Sequence, residues 1–128
     1  MKIIVAGDGK VGATLTRQLT AEGYDITLID SNKDVLSSSM EQFDIMTVHG
    51  NCATKDTLLK AGITDTDLII AATSADEVNL LCCITAHGLN KELHTIARIR
   101  NPEYSSQIYD MRDMYALSMT AVSYTHLR

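Results

Sequence analysis

Six residues near the start of the chain, Gly7-Asp8-Gly9-Lys10-Val11-Gly12, limit its possible folds more than any other feature. They follow an apolar run, Ile3-Ile4-Val5-Ala6, and lead into a segment that sets Val11, Leu15 and Leu19 on one face at helical spacing. Strand, glycine turn and helix in that order, with a second apolar run at Asp25 to Asp30, form a β-α-β unit of about thirty residues. Each glycine then has its own task. Gly7 makes the tight turn, Gly9 lets the backbone approach a pyrophosphate, and Gly12 lets helix and strand pack closely. A diphosphate placed there meets unpaired N–H groups and the positive end of the helix dipole, roughly half an elementary charge. Lys10 adds a formal charge of the same sign. Asp30 ends the second run, where a carboxylate accepts hydrogen bonds from ribose hydroxyls and repels a 2′-phosphate. The same residues would also serve as a plain turn and a helix cap.

The alternation continues along the chain. Runs rich in Ile, Val and Leu recur at Ile45 to Gly50, Asp67 to Thr73 and His94 to Arg100. Segments of helical character lie between them: one opening with Ser31-Asn32-Lys33-Asp34, an S-x-x-D cap pattern; one from Thr54 to Ala61 ending at Gly62; and one from Asp76 to about Ala86, closed by Gly88 and Asn90. Apolar strands buried on both faces and joined by helical crossovers predict an α/β fold, a Rossmann-like open parallel sheet with helices on both faces. After Pro102 a helix over Glu103 to Arg112 and a short edge strand over Ala116 to Thr120 are expected. The reading is one domain over residues 1–120, with 121–128 an irregular tail of what looks like a partial chain.

Composition narrows the function. Eleven Lys plus Arg against sixteen Asp plus Glu give a net charge of -5, with no basic run, which disfavours nucleic acid and anionic membrane surfaces as partners. No apolar stretch approaches the ~20 residues that span a bilayer, and no signal-peptide pattern precedes Ile3, so a soluble cytoplasmic chain without membrane insertion is expected. Three cysteines, two of them adjacent at Cys82 and Cys83, suit neither a disulfide framework nor a zinc site, and buried reduced thiols fit best.

Ligands of doubly wound sheets lie across the carboxyl ends of the strands, where strand order reverses. The residues at those ends are Asn51 and Cys52 after the third run, Thr73 and Ser74 after the fourth, and Arg98 and Arg100 on the fifth, where strand alternation lets only one arginine reach a ligand. Each also suits a turn or a solvated surface. His49 could be an acid-base group or a hydrogen-bonded structural histidine. No metal spacing or catalytic motif accompanies it, and the nucleotide unit consumes nearly all the chain. The expected role is binding without catalysis. The cofactor half of an NAD-dependent dehydrogenase lacking its substrate domain is the alternative. A third reading is an interaction module docking through Met111, Met114, Tyr115 and Met119.

Five segments together, MKIIVAGDGKVG, DITLIDSNKD, VHGNC, DLIIAATSADEVNLLCC and IARIRNPEY, resemble the regulator-of-potassium-conductance, or KTN, nucleotide-binding domains, in particular the N-terminal domains of Trk-system potassium uptake regulators. The patterns T-S-x-D-E-x-N and A-R-I-R-N-P-E-Y are more specific than the glycine loop. The resemblance implies a cytoplasmic regulatory subunit that binds NAD(H) or ATP/ADP, assembles as a homo-oligomer and controls a membrane potassium transporter from the inner face of the membrane. By position it implies that Gly7, Asp8, Gly9, Lys10, Val11 and Gly12 cradle phosphates and that Asp30 holds the ribose. Asn51 and Cys52 would flank adenine, Thr73 and Ser74 would line the nicotinamide or phosphate side, and Arg98 would meet phosphate.

Overall fold

The computed structural model describes residues 1–115 and 119–123. Among these residues six strands alternate with five α-helices: β1 (Lys2–Ala6), α1 (Lys10–Ala21), β2 (Asp25–Asp30), α2 (Lys33–Gln42), β3 (Met46–His49), α3 (Lys55–Lys60), β4 (Leu68–Ala71), α4 (Asp76–Leu89), β5 (His94–Arg98), α5 (Pro102–Tyr115) and β6 (Thr120–Val122). The sheet is wholly parallel in the order β3-β2-β1-β4-β5-β6, so the chain moves outward from β1 in one direction and then returns to build the other half beside it. The reversal falls between β1 and β4, where Ala6 stands opposite Ala71. This is the Rossmann-like sheet that the alternating pattern predicts.

Strand pleating divides the apolar residues between two cores. Ile3 and Val5 pack with Val11, Leu15, Leu28 and Leu36 on the α1–α2 side. Ile4 and Ala6 pack with Leu58, Ile69, Ala71, Cys82 and Cys83 on the α3–α4 side. The inner strands therefore show no polar face, which is why they read as unbroken apolar runs. Each fully buried Ile or Leu contributes roughly 1.5–3 kcal/mol of transfer free energy.

Several boundaries differ from the sequence expectation. Asn32, not Ser31, caps α2, its Oδ1 accepting from the N–H groups of Asp34 and Val35 at 2.9 and 3.3 Å. The backbone N–H of Asn32 is itself held by Asp30, which moves the first turn one residue on. α4 continues through Gly88 to Leu89, and the αL stop that a glycine can supply is absent. Arg100 lies beyond β5. The last strand is displaced from 116–120 to Thr120–Val122, so Ala121 and Val122, expected in an irregular tail, pair with Ala97 and Arg98. Residues 116–118 and 124–128 lie outside the described part. Of the supposed docking segment, Met119 is buried, and the side chains of Met114 and Tyr115 are outside it too.

Two contacts fix where the first helix begins. A Cβ added to Gly12 would lie 1.6 Å from the carbonyl oxygen of Gly7, so only glycine lets the first turn of α1 sit against the end of β1. On the far side of the loop the Asp8 carboxylate is turned inward, 6% exposed, and accepts the Ser39 hydroxyl of α2 at 2.6 Å through Oδ2, while Oδ1 has no partner. Burial raises the Asp8 pKa, the Ser39 hydrogen bond opposes this, and the nearby Asp30 charge adds to the rise.

Urea unfolding of Gly12→Ala should show a loss of about 3 kcal/mol or more, because backbone rather than a flexible side chain blocks the new methyl. Gly88→Ala, at an exposed helical site with nothing within 4 Å of the added Cβ, should gain about 0.5–1 kcal/mol. A tolerated alanine at 12 or a destabilising one at 88 contradicts this packing. The native state holds the Asp8 proton more tightly than the unfolded chain, whose carboxyl titrates near ~4. The contribution of Asp8 to stability is therefore present at lower pH and lost as pH rises through the folded-state value. Asp8→Asn should be the more stable form at pH 7, with its advantage vanishing in acid. A pH-independent difference between the two melting curves rules this out.

Candidate functional site

At the carboxyl ends of β1 and β4 the sheet opens into a cleft of 590 Å³. Gly7 leaves β1 at a φ of +102°, a conformation that side chains resist, and a Cβ on it would come within 2.9 Å of the Thr73 backbone nitrogen. The two halves of the sheet meet here with no side chain between them. Gly9 is the opposite case: nothing lies within 4 Å of a Cβ added to it, since that position faces open space. Gly9 precedes α1 without a side-chain cap, and the first turn carries no acid. α2 and α3, by contrast, are capped by Asn32 and Thr54, and α4 has Asp76 and Glu77 in its first turn. The start of α1 thus retains unneutralised dipole and donor amides at the mouth of the cleft, with exposed Lys10 beside them.

Asp30 stands at the rim, half-buried, between two main-chain donors. Its Oδ2 accepts from Asp8 N and its Oδ1 from Asn32 N, both at 2.7 Å. The two bonds hold the carboxylate still and leave each oxygen a lone pair for a further donor. His49, paired opposite Asp30, binds the Ser31 carbonyl through Nε2 at 3.0 Å, as a structural histidine does. Asn51 turns its Oδ1 to Ala53 N at 2.9 Å, leaving its amide nitrogen for a ligand. Cys52 follows it, buried but on the cleft wall.

Across the cleft the structure shows a residue to which no role was assigned from sequence. Asn79 of α4 is 0% exposed. Its Oδ1 accepts from Thr73 N at 2.9 Å and Thr73 Oγ1 at 2.7 Å, and its Nδ2 donates to Thr73 O at 3.1 Å and Arg98 O at 2.8 Å. One amide clamps the end of β4 to the end of β5. Arg98 lines the cleft, its Nη1 donating to Thr73 O at 3.2 Å and its Nε buried without a partner. Burial lowers its pKa, Arg100 lowers it further and Asp76 opposes, yet a guanidinium stays charged at any physiological pH. Arg100 does not reach the cavity. Its Nη2 donates to Ser74 O at 2.7 Å, while its backbone N–H binds Asp76.

Of the residues expected to form the site, Gly7, Gly9, Lys10, Val11, Asp30, Asn51, Cys52, Thr73, Ser74 and Arg98 line one cleft. Asp8 and Gly12 do not: the first faces Ser39 and the second packs on Gly7. Apolar wall residues Ile29, Ala72 and Val78 also line it, though as core strand or helix positions they carry no signal of their own in sequence. Among the described residues no group of three or more His, Cys, Asp or Glu could hold a metal ion, and no helix is long and apolar enough to cross a membrane.

The chain is similar to known proteins over this region. It is 40% identical over 107 residues to the Trk system potassium uptake protein TrkA of Vibrio alginolyticus, covering 84% of this chain and 23% of that protein, so the chain spans about a quarter of its relative's length. The Kef C-terminal domain of Shewanella denitrificans, solved in an AMP-bound form, superposes with a TM-score of 0.78 at 25% identity, over 98% of this chain and 74% of that one. The GsuK channel bound to NAD superposes at 0.77 with 20% identity, over 94% and 21%, a likeness of fold alone. The TrkA-N domain model matches residues 3–118, and the chain belongs to the TrkA-N domain family.

Proposed function

We propose that the domain is a nucleotide sensor of a potassium uptake regulator, holding NAD(H) or ATP/ADP in the cleft between β1 and β4 and passing occupancy to a membrane potassium transporter through a homo-oligomer. The observation that carries this reading is the uncapped, acid-free start of α1 opening onto a 590 Å³ cleft beside a fixed carboxylate. Phosphates would lie against the amides that follow Gly9, with Lys10 and Arg98 supplying positive charge. The ribose would donate to Asp30, and adenine would lie by Asn51 and Cys52 above the Ile29 wall. The potassium uptake relative supports the regulatory role, and the AMP-bound structure supports the ligand class.

The role is binding, not turnover, performed at the cytoplasmic face of the membrane. A sensor needs differential affinity: two nucleotides must favour different arrangements of the assembly, because equal affinity for both states shifts neither. Micromolar affinity suffices, about -8 kcal/mol.

Calorimetric titration with NADH, NAD, ATP and ADP should give at least one isotherm. Gly9→Val should abolish it with the melting temperature little changed, since its side chain enters empty space in the free protein. Asp30→Ala should weaken it about tenfold or more, the scale of a lost hydrogen bond to a charged acceptor. Silence from all four nucleotides, or full affinity in Gly9→Val, overturns the reading.

A further inference from the structure

The cleft wall contains a thiol whose redox chemistry nucleotide binding does not employ. Cys52, in the turn after β3, lines the cavity, and it shares one buried cluster with Cys82 of α4, 0% exposed, and its neighbour Cys83, neither of which lines that cavity. All three thiols are free. We propose that Cys52 and Cys82 form a peroxide-oxidisable dithiol, with Cys52 the attacking sulfur and Cys82 the resolving one.

The arrangement separates the two roles. A hydroperoxide entering the cleft meets Cys52 and not the other two. Cys82 gives its S–H toward the Cys52 sulfur, which lowers the Cys52 pKa and, with burial, raises that of Cys82 well above an ordinary thiol. Burial pushes the Cys83 thiol up to about 12, and its Sγ is turned toward the Ile96 carbonyl at 3.6 Å, away from this pair. Thiolate character and access decide which cysteine oxidises.

The chemistry closes without a metal or cofactor. The Cys52 thiolate attacks one peroxide oxygen, the O–O bond breaks, and water leaves after protonation, giving a sulfenic acid on Cys52. The Cys82 sulfur then attacks the Cys52 sulfur. An S–S bond forms, the S–O bond breaks, and the departing hydroxide takes the Cys82 proton as a second water. Two thiols are oxidised, and one hydrogen peroxide is reduced to two waters. The bridge would tie the Asn51–Cys52 turn to α4 and stiffen one wall of the cleft whether or not a nucleotide binds there.

The full chain, reduced and then treated with stoichiometric hydrogen peroxide without nucleotide, should lose about 2 Da, two hydrogens, as a monomer. Tryptic peptides 34–55 and 61–91 should become linked. Because the second contains both Cys82 and Cys83, Cys83→Ala must retain the link. Cys82→Ala must lose it and accumulate a Cys52 sulfenic acid that dimedone traps. Unlinked peptides in the wild type and in Cys83→Ala, a link that survives Cys82→Ala, or dimedone labelling that avoids Cys52 would each overturn the assignment.

Discussion

The close approach of Gly12 to the carbonyl of Gly7 sets the geometry on which the cleft depends. With 1.6 Å between that oxygen and where a Cβ would stand, the first turn of α1 can sit on the end of β1 only because the side chain is missing. The helix consequently starts after only the short turn Gly7-Asp8-Gly9, and its leading amides face the gap between β1 and β4 with no side-chain cap to satisfy them. In most helices such donors are answered by a Ser, Thr, Asp or Asn side chain. Leaving them open lowers the stability of the empty domain and prepares a place for an anion.

A second, independent constraint shapes the opposite wall. Placing an amide where no water reaches is costly unless its hydrogen-bonding groups are satisfied. Asn79 meets that condition by taking both the N–H and C=O of Thr73 and the carbonyl of Arg98. The strand ends of β4 and β5 are thereby locked together, and Arg98 is presented to the cavity while Arg100 is drawn off to Ser74 and Asp76. Any ligand that contacts Thr73 or Arg98 acts on a unit that also includes α4, whose outer surface exposes Leu81 and Ile84.

What was legible in the sequence follows from the range of the interactions involved. The sheet and its helices are written in local periodicity, and Gly7, Gly9 and Asp30 stand at spacings tied to one β-α-β unit. Misread positions depended on particular hydrogen bonds, near or distant in sequence, that residue spacing does not reveal. Ser31 looked like the cap because the S-x-x-D pattern is local, whereas the shift to Asn32 comes from Asp30 holding its backbone. Asp8 belongs to the phosphate loop by position, and the partner that turns its carboxylate inward, Ser39, lies thirty-one positions on. Asn79 closes the T-S-x-D-E-x-N pattern, but the pattern by itself does not reveal that Thr73 and Arg98 converge on its side chain. Gly88 looked like a helix end, although burial of Ala86 and the cap bond at Asn90 carry α4 past it. The last strand was placed too early because only its pairing with β5 defines it.

The central claim is that a nucleotide settles against the start of α1 and not elsewhere on the molecule. Backbone amide chemical shifts recorded during titration with ADP and with NADH test it most directly. The account predicts that the largest changes fall on Gly9, Lys10, Val11 and Gly12, accompanied by Asp30 on one rim and Thr73 and Ser74 on the other. Changes concentrated instead at the separate small groove lined by Ile84, His87 and Lys91, with the glycine loop silent, would contradict it.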